Sequence, residues 1–413
     1  MLQRIVFISS LVCTLNATEY YRDILPILTA HCQECHRKGE IGPMPLTTYR
    51  EVRPWAKAIR DAVVSHKMPP WFADPHFGKF SNDRSLTQAE IERIADWSAT
   101  GAPEGPRSDP ASRPRREGWS IGKPDAEAAM PQPFHVPATR ELAYQYFIVP
   151  TGFAQDRWVQ KVELRPGARS VVHHAVVYIR EPGSTWLQGM ETGGAFIVPP
   201  GSPDGVTKSD ILFTYTPGNS SDEWPEGTAK LIPAKADLVF EIHYTPAKQP
   251  VIDQSRIGFV FSKSPPSQRV LTLQLTNDRL FIPPGRADYR VNVAGTLPND
   301  ARLLSLYPHM HLRGKYFEYS IVEPSGQRTT LLKVNNYDFY WQLNYRLADP
   351  LLLRSGTRLE CSAVFDNSKN NPRNPDPDAM VRYGQQSTDE MMIGFFDVAV
   401  PANITKAKFF ERR

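Results

Sequence analysis

SVVHHAVVYI, residues 170–179, sets a histidine pair inside a run of valine, isoleucine and tyrosine. Such β-branched and aromatic density in so short a run reads as a strand. Similar runs extend outward along the chain: RWVQKVEL (157–164), ADLVFEIHYT (236–245), RIGFVFS (256–262), RVLTLQL (269–275), FEYSIVEP (317–324) and RLECSAVFD (358–366). Strands spaced about ten to twenty residues apart, broken by Pro and Gly, predict antiparallel β-sandwiches. From residue 131 onward the length suits two of them, over 131–264 and 265–413, dividing at Ser264-Pro265-Pro266. The expected fold class is therefore mainly β.

Composition sets the outer limits. The chain has 413 residues, 41% hydrophobic and 22% charged, with a net charge of +4. At roughly 150 residues per domain this allows about three domains, each with a core. No Lys/Arg run dominates, so no nucleic-acid partner is expected. The 38 prolines oppose long helices. At the front, Arg4, the apolar run 5–15 and a small residue at Ala17 form a signal-peptide pattern over 1–17; the alternative is a buried N-terminal segment. No later run reaches the roughly 20 apolar residues that span a membrane. The expectation is a periplasmic or secreted protein with no membrane span after signal removal.

Of four cysteines, Cys13 falls in the signal and Cys361 stands alone. The other two belong to HCQECHRKGE, where Cys32, Cys35 and His36 form C-x-x-C-H, the attachment signal for c-type haem. Two thiols one helical turn apart can add to the two vinyl groups of one macrocycle, and the adjacent histidine reaches the iron. A redox disulfide or half a zinc site is the alternative for a bare C-x-x-C. Tyr20 to Leu28 has helical apolar spacing. Thr87 with Glu90 makes a capping box ahead of the stripe Ile91, Ile94, Trp97, and Gly101 closes it. Helix, motif, loop and closing helix resemble a small all-α class I cytochrome c domain, placed at 18–105. Met44, Met68, His66 and His76 are the candidates for the distal ligand, with Met68 favoured. Residues 106–130, rich in Pro, Arg and small side chains, read as a linker.

Five of the ten histidines fall in or beside strand-like runs: His173 and His174, His243, and the pair His309 and His311 in YPHMHLRG (307–314). Side chains two apart on a strand share a face, so His309 and His311 can aim at one point. Neighbours face opposite sides, so His173 and His174 can meet at one ion only at a strand end or bulge. Each histidine taken singly is more simply a hydrogen-bonded structural residue.

SVVHHAVVYI, FEIHYTP, PHMHLRGK and STDEMMIGFFDV, in that order, resemble the type II copper, ascorbate-dependent monooxygenases, the family of peptidylglycine α-hydroxylating and dopamine β-monooxygenase. The resemblance spans about 131–413 and implies two jelly-roll-like sandwiches holding two coppers. It implies that His173, His174 and His243 hold one ion, and His309, His311 and Met391 the other. Thioether favours Cu(I), so the latter site suits dioxygen and the former can store an electron. On a strand Met391 and Met392 face opposite ways, and the D-E-M match selects Met391. Two departures matter. The arginine and tyrosine with which the peptide enzyme holds a carboxylate are here Tyr307 and Phe395, so a peptide carboxylate is not the expected substrate. A haem segment also precedes the copper motifs.

The reading is an exported oxidoreductase with haem c and two copper ions. It would hydroxylate a C–H bond of a small organic substrate with O2, the haem relaying electrons from an external donor. The alternatives are a haem–copper electron-transfer or copper-binding protein without oxygenase activity, and a structural or ligand-binding sandwich with incidental histidines.

Overall fold

A computed structural model describes residues 17–107, 118–138, 142–199, 202, 205, 209–245 and 249–411. Residues 1–16 of the signal-peptide reading, Cys13 among them, and 108–117 of the linker lie outside the described residues. The chain forms two compact units. The described residues of Met1–Arg37, Pro43–Pro69 and Ser85–Arg113 make one, and those of Lys38–Gly42, Pro70–Arg84 and Pro114–Arg413 make the other.

The first unit is helical. A π-helical turn at Tyr20–Ile24 runs into the helix Leu25–His31, and the helices Ala56–Val64 and Gln88–Ala99 complete the frame. The capping box on Thr87 is formed: its hydroxyl accepts the Glu90 N–H while the Glu90 carboxylate accepts the Thr87 N–H. Ile91, Ile94 and Trp97 then fall on one buried stripe against Tyr20, Ile24, Leu28 and Val63. No described helix is long and apolar enough to cross a membrane.

The segment Pro70–Arg84, expected in the haem domain, belongs to the second unit. The cause is aromatic burial: Trp71 and Phe80 lie 4.9 and 5.5 Å from the Tyr345 ring. Backbone bonds from Asp74 to Lys333 and from Ser81 to Arg346 fasten it. The tail of the expected linker is likewise a strand, Ala126–Ala129, which pairs with Arg256–Phe261. An edge strand needs main-chain partners on one side only, so its short AEAA sequence carries little apolar signal.

The second unit is mainly β and built on a nine-stranded sheet. Its first half includes Arg157–Arg165 and Thr228–Ile232; its second half includes Gln268–Thr276, Ile393–Pro401 and Ala301–His309 in that spatial order. The halves join through the parallel pair Thr228–Ile232 and Gln268–Thr276. The sheet is thus continuous across the Ser264-Pro265-Pro266 break, yet two cores lie on either side of it. One core packs Val159, Val162 and Phe259 with Phe147, Val177 and Phe240. The other packs Leu271, Leu303 and Val398 with Phe317, Ile321 and Phe365. Each half carries a four-stranded sheet: Gln145–Pro150, Asp237–Tyr244, Val172–Arg180 and Asp210–Tyr215 in one, and Tyr289–Thr296, Arg358–Phe365, Gly314–Val322 and Arg328–Val334 in the other.

Candidate metal centre

The strand Val172–Arg180 lies between Asp237–Tyr244 and Asp210–Tyr215. His174 pairs directly with His243, and the register slips between Val172 and His174. His173 is the extra residue of that bulge, the irregularity that two adjacent histidines need to turn to one side. Their Nδ1 atoms converge: His173 Nδ1 is 3.0 Å from His174 Nδ1 and 3.3 Å from His243 Nδ1. The Tyr340 carbonyl lies 3.2 Å from His173 Nε2. A carbonyl only accepts, so the proton sits on Nε2 and the Nδ1 lone pair faces the cluster. Burial pushes His173 down to about 4, His243 to about 3 and His174 well below the usual imidazole range. Three neutral imidazoles with converging nitrogens are a metal-ready donor set.

His309 ends the strand Ala301–His309, and His311 follows in the turn. Between them Met310 points into the core, where the Tyr337 hydroxyl accepts its N–H and donates to its carbonyl. The histidine rings stand 5.2 Å apart, nearly perpendicular. Gln342 Oε1 lies 2.6 Å from His309 Nδ1, and the Gln342 amide N–H donates to the Phe339 carbonyl. His309 therefore carries its proton on Nδ1 and leaves Nε2 free. His311 is 1% exposed, and its Nδ1 makes no hydrogen bond. Burial pushes His309 to about 4 and His311 well below the usual range.

The neighbouring strand Ile393–Pro401 sets His309 against Ile393 and Tyr307 against Phe395. One step further along that face comes Met391. It lines the same cavity as His309 and His311, whereas Met392 is fully buried in the core behind.

Both clusters border one cavity. His174 lines it from one side and His309, His311 and Met391 from the other, with Tyr146, Tyr307 and Phe395 between. The Phe339 ring is wedged between the clusters, 6.0 Å from the His243 ring and 6.1 Å from the His311 ring. Glu241, two residues before His243, also lines the cavity and accepts the Tyr178 hydroxyl at 3.0 Å. Phe339, Gln342 and Glu241 are site residues that sequence reasoning missed. For Phe339 and Gln342 the local signal is the aromatic run YDFYWQ (337–342), which has no strand period.

In the helical unit neither Cys32 nor Cys35 takes part in a disulfide. The N–H groups of Cys35 and His36 both return to the Cys32 carbonyl. His36 Nδ1 lies 3.1 Å from the Met44 carbonyl, which holds the proton on Nδ1 and leaves Nε2 free. Met44 thus attends His36 itself through its backbone. Met68 lies in the loop after Ala56–Val64, its N–H on the Ala62 carbonyl. His76 belongs to the second unit and is paired with Asp74 at 2.7 Å.

No family model and no curated protein matches this chain. Solved structures give only distant likenesses. The major capsid protein P2 of bacteriophage PM2 is 10% identical, with a TM-score of 0.27, over 65% of this chain and 97% of that one. An allantoicase is 9% identical, with a TM-score of 0.18, over 64% of this chain and 80% of that one. At such TM-scores neither likeness carries an argument about this chain.

Proposed function

We propose that this protein is an exported, periplasmic or secreted, haem–copper monooxygenase. In this reading a small cytochrome c domain, as the C-x-x-C-H motif implies, precedes two jelly-roll-like sandwiches, as the resemblance to the type II copper monooxygenases implies. The observation that carries the reading is the convergence of two neutral donor sets on one cavity. His173, His174 and His243 would hold one copper, and His309, His311 and Met391 the other. The donors fit: three imidazoles serve copper in both redox states, and a buried thioether beside two imidazoles favours Cu(I). Cys32, Cys35 and His36 would hold haem c, with Met68 as its distal ligand.

Bound copper would supply dioxygen activation and one-electron storage. The chain's own residues do the rest. The Tyr340 carbonyl and the Gln342 amide fix the histidine tautomers. Tyr307, Phe395 and Ile393 give the substrate an apolar wall that excludes water. Glu241 adds a second obstacle to a carboxylate substrate, beyond the missing arginine, because a half-buried acid lining the cavity disfavours another acid beside it. A small neutral or cationic organic substrate suits these walls. The balance is R–H + O2 + 2 H+ + 2 e− → R–OH + H2O, with the electrons from an external one-electron donor.

The test is metal content. Purified, copper-loaded and dialysed protein is expected to hold about two coppers per haem; a ratio near zero refutes the reading. Oxygen uptake matched by hydroxylated product separates a monooxygenase from an electron-transfer or copper-binding protein. If the haem is the electron entry, the double variant Cys32→Ala, Cys35→Ala should keep both coppers yet lose oxygen uptake driven by the external donor. Undiminished uptake in that variant would remove the haem from the electron path.

A further inference from the structure

Glu390 is fully buried directly before Met391. Its carboxylate accepts three backbone N–H groups: Arg313 at 2.6 Å on Oε1, and His311 at 2.8 Å and Met391 at 3.1 Å on Oε2. Two of these peptide groups belong to proposed copper ligands on different segments. His311 sits in the turn after Ala301–His309, and Met391 just ahead of Ile393–Pro401. The Glu390 backbone is held in turn, its N–H on the Arg382 carbonyl and its carbonyl on the Gly384 N–H. Arg313 supplies the compensating charge. It is 1% exposed and donates to Asn367 and Thr388. Both carboxylate oxygens are thus committed to the main chain. A buried acid in such a place costs desolvation that an apolar residue would not, and what it secures is the spacing of two side chains.

We infer that Glu390 is a positioning residue, one carboxylate that locks His311 and Met391 into a fixed relation before any ion arrives. The inference rests on the copper reading of the His309, His311, Met391 cluster. Glutamine cannot replace it: its single oxygen serves one side, and its NH2 group meets a backbone N–H donor to donor. Aspartate keeps two carboxyl oxygens but is one methylene short of spanning both segments.

The experiment is Cu(I) titration of the full chain against a chromophoric chelator, without oxygen or substrate. It is run in a His243→Ala background, which isolates the His309, His311, Met391 site, and in a His311→Ala background, which isolates the other. Glu390→Gln is expected to weaken the first site about tenfold to a hundredfold, the range for losing a ligand-orienting partner, and to leave the three-histidine site unchanged. Unaltered affinity at the first site overturns the inference. So does equal weakening of both sites, which would mark a general loss of fold. Should Glu390→Gln fail to fold, Glu390→Asp carries the same expectation and the same refutations. If the chain with Glu390 intact binds no copper at His309, His311 and Met391, the copper reading itself fails and the inference falls with it.

Discussion

Replacing His311 by alanine is expected to halve the copper content and to stop hydroxylation, with a loss of at least about a thousandfold in turnover. A thousandfold corresponds to about 4 kcal/mol on the barrier, a plausible scale for deleting one of three donors at the site where dioxygen would react. The three-histidine cluster should keep its ion, because its donors come from Val172–Arg180 and Asp237–Tyr244 and not from the His311 turn. Copper analysis and product yield are read on the same sample. A variant that retains two coppers, or that hydroxylates at the original rate, contradicts the assignment. The fold should survive: the side chain removed is an imidazole bordering a cavity, while Met310 and Tyr337 keep the turn anchored in the core.

Acid should unfold the copper-free chain early. Burial holds His173 and His309 near 4 and His243 near 3, against about 6.5 in an unfolded chain. Folded-state values below the unfolded value mean that the unfolded chain binds more protons between them. The stability they contribute is therefore complete above pH 6.5 and lost as pH falls through 4. At about 1.4 kcal/mol per tenfold change in proton affinity, His173 alone removes roughly 3 kcal/mol over that interval. The midpoint of urea unfolding, followed from pH 7.5 to 4, is expected to drop steeply below 6.5. Copper should deepen the slope, since protons compete with the ion for the same nitrogens. A flat profile would show that these imidazoles titrate as they do in water.

Much of this arrangement was legible in the sequence because strands announce themselves through period and composition. The runs at 170–179 and 236–245 are strands, and the need for a bulge at His173 followed from the two-residue alternation of a sheet. Alternation also fixes Met391 toward the cavity and Met392 toward the core, although only the structure says which face is which. Other features left only a faint local trace. Phe339, Gln342 and Glu390 act through contacts made across the fold, and a sequence window cannot see which loop a sheet edge will receive. Pro70–Arg84 was misplaced for a similar reason: its tryptophan and phenylalanines say that it must be buried, but not in which core. The continuous sheet across Ser264-Pro265-Pro266 was hidden as well, because a short parallel pairing such as Thr228–Ile232 with Gln268–Thr276 has no motif of its own.

The strand Ile393–Pro401 comes last in the chain among the described strands, yet it lies in the middle of the large sheet, between Gln268–Thr276 and Ala301–His309. Synthesis runs from the N-terminus, so those two neighbours must wait, unjoined, until the latecomer slots between them. It arrives with Glu390 and Met391 at its leading end. A polypeptide interrupted between Tyr244 and Glu390 would carry His173, His174 and His243 but not Met391, so the second donor set would stay incomplete. On the copper reading, the order of the strands makes the second donor set the last thing the chain completes.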